Sequence, residues 1–127
     1  LHVEVTPVSY DKLTQDNSTN ETSAAIRDRV IRARELQQMR YKDYPGIHSN
    51  AQMTPKMVQS ICLLPSAGLI LLKKAMEKLQ LSARAYDRIL KVARTAADLA
   101  ESEEIKIEHL AEAIHYRSLD RENWSEL

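Results

Sequence analysis

Leu1-His2-Val3-Glu4-Val5 alternates apolar and polar residues, the period of a half-buried strand, and predicts a short strand at the start of the chain. No second alternating run follows to pair with it, so the rest of its sheet is expected outside the chain. Thr6-Pro7-Val8-Ser9 and the polar stretch 14–20 then read as connection, the most flexible part, because Thr, Asn, Asp and Ser compete with a helix for backbone hydrogen bonds. From there the pattern takes the helical period. Ser18-x-x-Glu21 has capping-box spacing, and no Gly or Pro interrupts the run before Pro45-Gly46, which predicts a first helix over about 22–43. Its apolar residues Ile26, Val30, Ala33 and Leu36 form only a thin stripe, as in a helix packed partly against something outside the chain.

Thr54-Pro55 starts a second helix running to about Leu63: the threonine caps free N–H groups, and proline at the first position has none to leave unpaired. Pro65 and Ser66 end it and cap a third, whose stripe Leu69, Leu72, Met76 and Leu79, with Ile70 and Leu71 beside it, predicts a mostly buried element. Leu81-Ser82 restarts the chain. Ala85, Tyr86, Ile89, Val92, Ala93, Ala96, Leu99 and Ala100 then give a fourth helix, 83–100, the broad apolar face of a central strut. Ile107, Leu110, Ala111 and Ile114 mark a fifth over 107–117. The expected organisation is mainly α: strand and linker 1–21, long basic helix and turn 22–46, helical bundle 54–117, polar tail 118–127.

Composition narrows the function. Of 127 residues, 43% are hydrophobic and 28% charged, as in one ordinary domain. With two glycines, Gly46 and Gly68, neither G-x-x-x-x-G-K-[ST] nor G-x-G-x-x-G can be written, so the chain has no loop to cradle a nucleotide phosphate by itself. The longest nearly apolar run, 61–72, is broken by Pro65, Ser66 and Gly68 and falls short of the ~20 residues of a spanning helix, so no membrane partner is expected. Cys62 is the one cysteine, which fits a reduced, cytoplasmic setting. The 18 basic and 18 acidic residues cancel, but not evenly: 22–98 holds fourteen bases and six acids, and 99–127 three bases and eight acids. Such segregation suits head-to-tail docking of subunits or tracking of a phosphate backbone as well as solvated helix faces.

His2, His48, His109 and His115 have no metal-ligand spacing, so no metal is expected here, and Glu108, His109 and Glu112 read as the polar face of a helix. Arg84 breaks a local rule. It falls in the first turn of the fourth helix, where the dipole disfavours a cation by about 0.3–1 kcal/mol, and a guanidinium beside free N–H groups makes a receptor for phosphate. Arg88 and Lys91 continue its face at helical spacing. Arg84 is equally able to reach solvent or to pair with Asp87.

The run from Leu81 through Arg84, Arg88, Lys91 and Arg94 to Thr95, continued by Ala97-Asp98-Leu99-Ala100, His109-Leu110-Ala111-Glu112-Ala113-Ile114 and Tyr116-Arg117-Ser118-Leu119-Asp120-Arg121, closely resembles the C-terminal part of the ComM/YifB-type, magnesium-chelatase-like AAA+ ATPases. The resemblance extends upstream through Ser49-Asn50-Ala51-Gln52-Met53 and Arg32-Ala33-Arg34-Glu35-Leu36-Gln37 to His2-Val3-Glu4-Val5. It departs at Leu64-Pro65-Ser66-Ala67, which lacks an acid common in such lids, and at Ala96, where many relatives carry a larger apolar residue.

What the resemblance implies is an AAA+ helical lid closing over ATP held by an ATPase core outside the chain. Arg84 matches the sensor-two arginine, with Arg88 a weaker contact to the same cofactor. ATP and Mg2+ are then cofactors of the longer parent, and this chain alone binds neither tightly. The implied partners are its own core, further copies in a ring, expected to be a hexamer, and DNA, which the parent processes in branch migration during natural transformation. Arg27, Arg29, Arg32, Arg34 and Arg40 are the candidate contacts to DNA or to a neighbouring subunit. The competing reading is a stand-alone helical module binding nucleic acid or protein through those five arginines.

Overall fold

A computed structural model describes residues 1–5, 7, 9–10 and 20–125, with side chains as far as Arg117. Ser18 and residues 14–19 of the expected linker lie outside the described residues. Helix α1 (Ser23–Arg40) is capped by Thr22, whose Oγ1 accepts from Ala25 N at 3.2 Å. It ends before 43 because Tyr44-Pro45-Gly46-Ile47 closes a type II turn, Ile47 N donating to Tyr44 O at 3.2 Å with Gly46 at φ +80°. A short 3-10 turn, Asn50–Gln52, follows. Helix α2 (Pro55–Ile61) starts as expected, with Thr54 Oγ1 accepting from Met57 N at 3.3 Å. Helix α3 (Ser66–Lys78) takes no side-chain cap, so Ser66 opens it without capping it.

Helix α4 (Ala83–Leu99) is the strut, touching α1, α2, α5 and the 3-10 turn. One row of its face, Ala85, Ile89, Ala93 and Ala97, is buried throughout. Its small residues let neighbouring helices approach the backbone closely. Met53, Met57, Val58, Leu72, Ile105 and Leu110 close the core around it. At its end Ser102 N donates to Ala97 O and Glu101 N to Asp98 O, a Schellman motif that holds Glu101 in the left-handed region at φ +54°. Helix α5 (Ile107–Ser125) is started by a reciprocal cap, Lys106 N donating to His109 Nδ1 at 3.0 Å.

Three expectations need correction. Residues 1–5 form no strand; His2 N donates to Tyr116 O at 3.2 Å, and no second extended segment among the described residues supplies a ladder. Helix α3 is not mostly core: Leu69 and Ile70 are 52% and 57% exposed. It packs on α5, with Leu72 buried and Leu71 and Met76 partly so, while its outer flank is exposed. Helix α5 overruns the expected end at 117, since no Gly or Pro follows Gly68 in the chain to stop it.

The second row of α4, Tyr86, Leu90, Arg94 and Asp98, carries charge into the core. Asp98 is 1% exposed and Arg94 4%. Asp98 accepts from Arg40 at 2.6 and 2.9 Å and from Asn50 Nδ2 at 2.9 Å, while Arg94 Nη2 lies 3.2 Å from its Oδ1. The buried Asn50 also accepts from Tyr41 OH at 2.6 Å, and its backbone N donates to Gln37 Oε1 at 2.9 Å. One carboxylate thus joins α1, the 3-10 turn and α4. Its hydrogen bonds raise the Arg40 guanidinium above its ordinary range. Removing it with Asp98→Ala leaves Arg94 buried without a counter-charge, and denaturant unfolding is expected to show a loss of about 3–5 kcal/mol.

Candidate functional site

Leu81 and Ser82 fix where α4 begins. Leu81 N donates to Met76 O at 3.1 Å, closing α3, and Ser82 Oγ accepts from Ala85 N at 3.3 Å, capping α4. Arg84 is therefore the second residue of a helix whose start is held from both sides. Its side chain is exposed, no acidic residue shares the first turn, and Asp87 does not pair with it. Of the two local outcomes open to it, solvent is the one realised. Among the described residues its guanidinium is unpaired, at the positive end of a 17-residue helix, an arrangement suited to an anion.

Arg88, one turn on, belongs to different surroundings. It lines a cavity of about 500 Å³ with Lys91 and Arg117, over a floor that includes Ile89, Val92 and Tyr116. Among the described residues no carboxylate lines this cavity, and Arg84 is not part of it. Lys91 Nζ donates to Ala51 O at 3.2 Å, which tethers its charge at the wall. At the edge of α5, Tyr116 OH donates to Glu112 Oε1 at 2.6 Å, and that bond raises the phenol above its ordinary range.

The five arginines of α1 do not act as one surface. Arg40 turns inward to Asp98 and Asn50, so it is withdrawn from the candidate DNA or subunit contacts. Arg29 pairs with Glu21 at 2.6 Å, and Arg32 with Glu101 at 3.3 Å. Both pairs are exposed, each within the ~0–1 kcal/mol typical of surface ion pairs. Arg27 and Arg34 are exposed and make no ion pair among the described residues. The Asp98 network escaped the sequence reading. Its signal was the row Tyr86, Leu90, Arg94, Asp98, which sets two opposite charges in i,i+4 register with apolar positions.

The architecture is that of a helical domain offering one unpaired arginine at the head of its central helix. Residues 20–117 match the family described as magnesium chelatase, subunit ChlI C-terminal, and the chain belongs to that family, in its ComM/YifB-type branch. It is 40% identical to the competence protein ComM of Haemophilus influenzae over 121 residues, 95% of this chain and 23% of that protein. It is 39% identical to YifB of Salmonella typhimurium over 109 residues and 40% identical to YifB of Escherichia coli over 101, covering 86% and 80% of this chain and 21% and 19% of those proteins. The chain thus spans about a fifth to a quarter of the length of these relatives.

His109 and Cys62 are committed to structure. Among the described residues no three His, Cys, Asp or Glu side chains converge as metal ligands, and no helix is long and apolar enough to cross a membrane. His109 is buried and spends its Nδ1 on the cap of α5. Cys62 lies in the core, where burial pushes its thiol up to about 11. Thiolate is the reactive form, so iodoacetamide at pH 8 is expected to label folded protein negligibly and to label it readily in denaturant, as mass spectrometry of the two samples would record.

Proposed function

We propose that this chain is the helical lid of a ring-forming AAA+ ATPase, closing over ATP bound by a core elsewhere in a longer polypeptide and supplying Arg84 as its sensor-two arginine. The observation that carries the reading is Arg84 itself: exposed, unpaired among the described residues and fixed at the first turn of α4. When bound, ATP with Mg2+ supplies the phosphoryl group and its charge. Arg84 fits that charge, because among the described residues its guanidinium has no carboxylate to release first. The chain's part is to hold this cation in place and present it as charge develops on the transferring phosphoryl group. Phosphate-cradling and metal-holding residues are assigned to the core, as is Mg2+. The ring is expected to be a hexamer working on DNA in the cytoplasm, in branch migration linked to natural transformation; only the link to competence has support from a relative, one named as a competence protein. A stand-alone nucleic-acid module on α1 is less well supported, because Arg29, Arg32 and Arg40 are already paired.

Steady-state ATP hydrolysis by the longer protein and its Arg84→Ala variant, with and without branched DNA, tests the reading. The expected result is a fall in kcat of roughly 10²-fold or more, the scale of losing one positioned charge stabiliser, with folding and assembly retained. Unchanged hydrolysis would make Arg84 a solvated surface residue.

A further inference from the structure

Among the described residues two clusters of opposite charge stand without counter-charges at separate places. One is the cavity of Arg88, Lys91 and Arg117, where three cations from α4 and α5 face a common space with no carboxylate among the described residues of its lining. Neither Arg88 nor Arg117 makes a hydrogen bond or ion pair among the described residues. The other is the turn 101–104 after α4. Its backbone is fixed by the Schellman bonds, by Arg94 donating to Glu103 O at 2.8 Å and Ser102 O at 2.7 Å, and by Ser102 Oγ donating to Glu104 O at 2.7 Å. Glu101 holds Arg32, but the carboxylates of Glu103 and Glu104 are exposed and accept no hydrogen bond among the described residues. A rigid backbone carrying free charges loses little entropy on docking.

These clusters cannot satisfy one another within a chain. Arg88 and Glu101 are separated by thirteen residues along α4 and its cap, about 20 Å at 1.5 Å per residue. We infer that the acidic turn of one copy docks into the basic cavity of the next, Glu103 and Glu104 pairing with Arg88 and Arg117. The contact is head to tail, so it repeats around a ring or along a filament. The apolar floor of Ile89, Val92 and Tyr116 lowers the local dielectric and strengthens the pairs beyond those on open surface. The docking names a surface for the ring-forming reading above and rests on it. A second copy is favoured over a nucleic-acid strand because the chain carries the complementary element itself, pre-shaped and unpaired.

Two charge-reversed variants, R88E/R117E and E103K/E104K, test the docking by sedimentation velocity at low ionic strength, with circular dichroism confirming that each folds. Wild-type chain is expected to self-associate and to dissociate in about 1 M salt, where the Debye length falls to ~3 Å. Each variant alone sets like charges against each other and is expected to weaken association roughly tenfold or more. An equimolar mixture restores opposite charges at both contacts and is expected to recover association. Failure of the mixture to recover, or a wild-type chain monomeric at low salt, would overturn the docking. A wild-type chain that stays monomeric yet binds a labelled single-stranded oligonucleotide through Arg88 and Arg117 would also overturn it and reassign the cavity to a phosphate backbone. In the longer protein, ATP-dependent assembly surviving both reversals would overturn the docking but leave the ring reading intact; a wild type that never assembles would remove the ring reading as well.

Discussion

The fold depends on one buried carboxylate. Asp98 sits on the apolar face of α4 at 1% exposure and must be compensated there, because an isolated buried charge costs several kcal/mol. Its compensation comes from three parts of the chain: Arg40 at the end of α1, Asn50 in the 3-10 turn, and Arg94 one turn earlier on α4. A hydrophobic cluster of the same volume would stabilise the domain about as well, since the attraction within such groups largely offsets their desolvation. What the network adds is position. Only one placement of α1 against α4 lets Arg40 reach both oxygens of Asp98 while Gln37 meets the backbone N of Asn50.

That constraint explains how a helix as polar as α1 is held. Ala33 and Gln37 are its only buried residues, while Ile26, Val30, Ile31 and Leu36 remain partly exposed and Met39 largely so. Packing area alone is too small to fix its angle, and the polar anchor lies at its last turn. Arg94 extends the same network in the opposite direction, to the carbonyls of Ser102 and Glu103, so the ordering of the turn after α4 follows from the core as well. The head of α4, with Arg84, is set independently by the end of α3 and the Ser82 cap. Both ends of the strut are thereby fixed in the frame of the bundle.

Local signals were legible and non-local ones were not. Thr54-Pro55 and Ser82 marked helix starts because capping is a matter of a few neighbouring residues, and α4 read as a helix because eight apolar residues recur along it, though of these only Ala85, Ile89 and Ala93 are buried and the packed face turns to take in Leu90, Arg94, Ala97 and Asp98. The exposure of Leu69 and Ile70 was not legible, since a stripe shows what a helix is able to bury and not whether a neighbour arrives. The terminal alternation of 1–5 failed for the same reason, as a strand exists only with its partner. Arg84 was legible in position and not in partnership: Asp87 stood within reach in sequence, and only the structure leaves the arginine unpaired. Arg40 was misplaced among surface arginines because its counter-ion lies 58 residues away.

The direct measurement of the central claim is native-state hydrogen exchange on wild type and Arg40→Met, which keeps the side-chain stem and removes the charge. If the Asp98 contact holds α1, amides of its C-terminal half, about Glu35 to Arg40, lose protection in the variant while those of Leu90, Ala93 and Leu110 keep theirs. Unchanged protection along α1 would contradict the account and place the anchoring of that helix in its few apolar contacts.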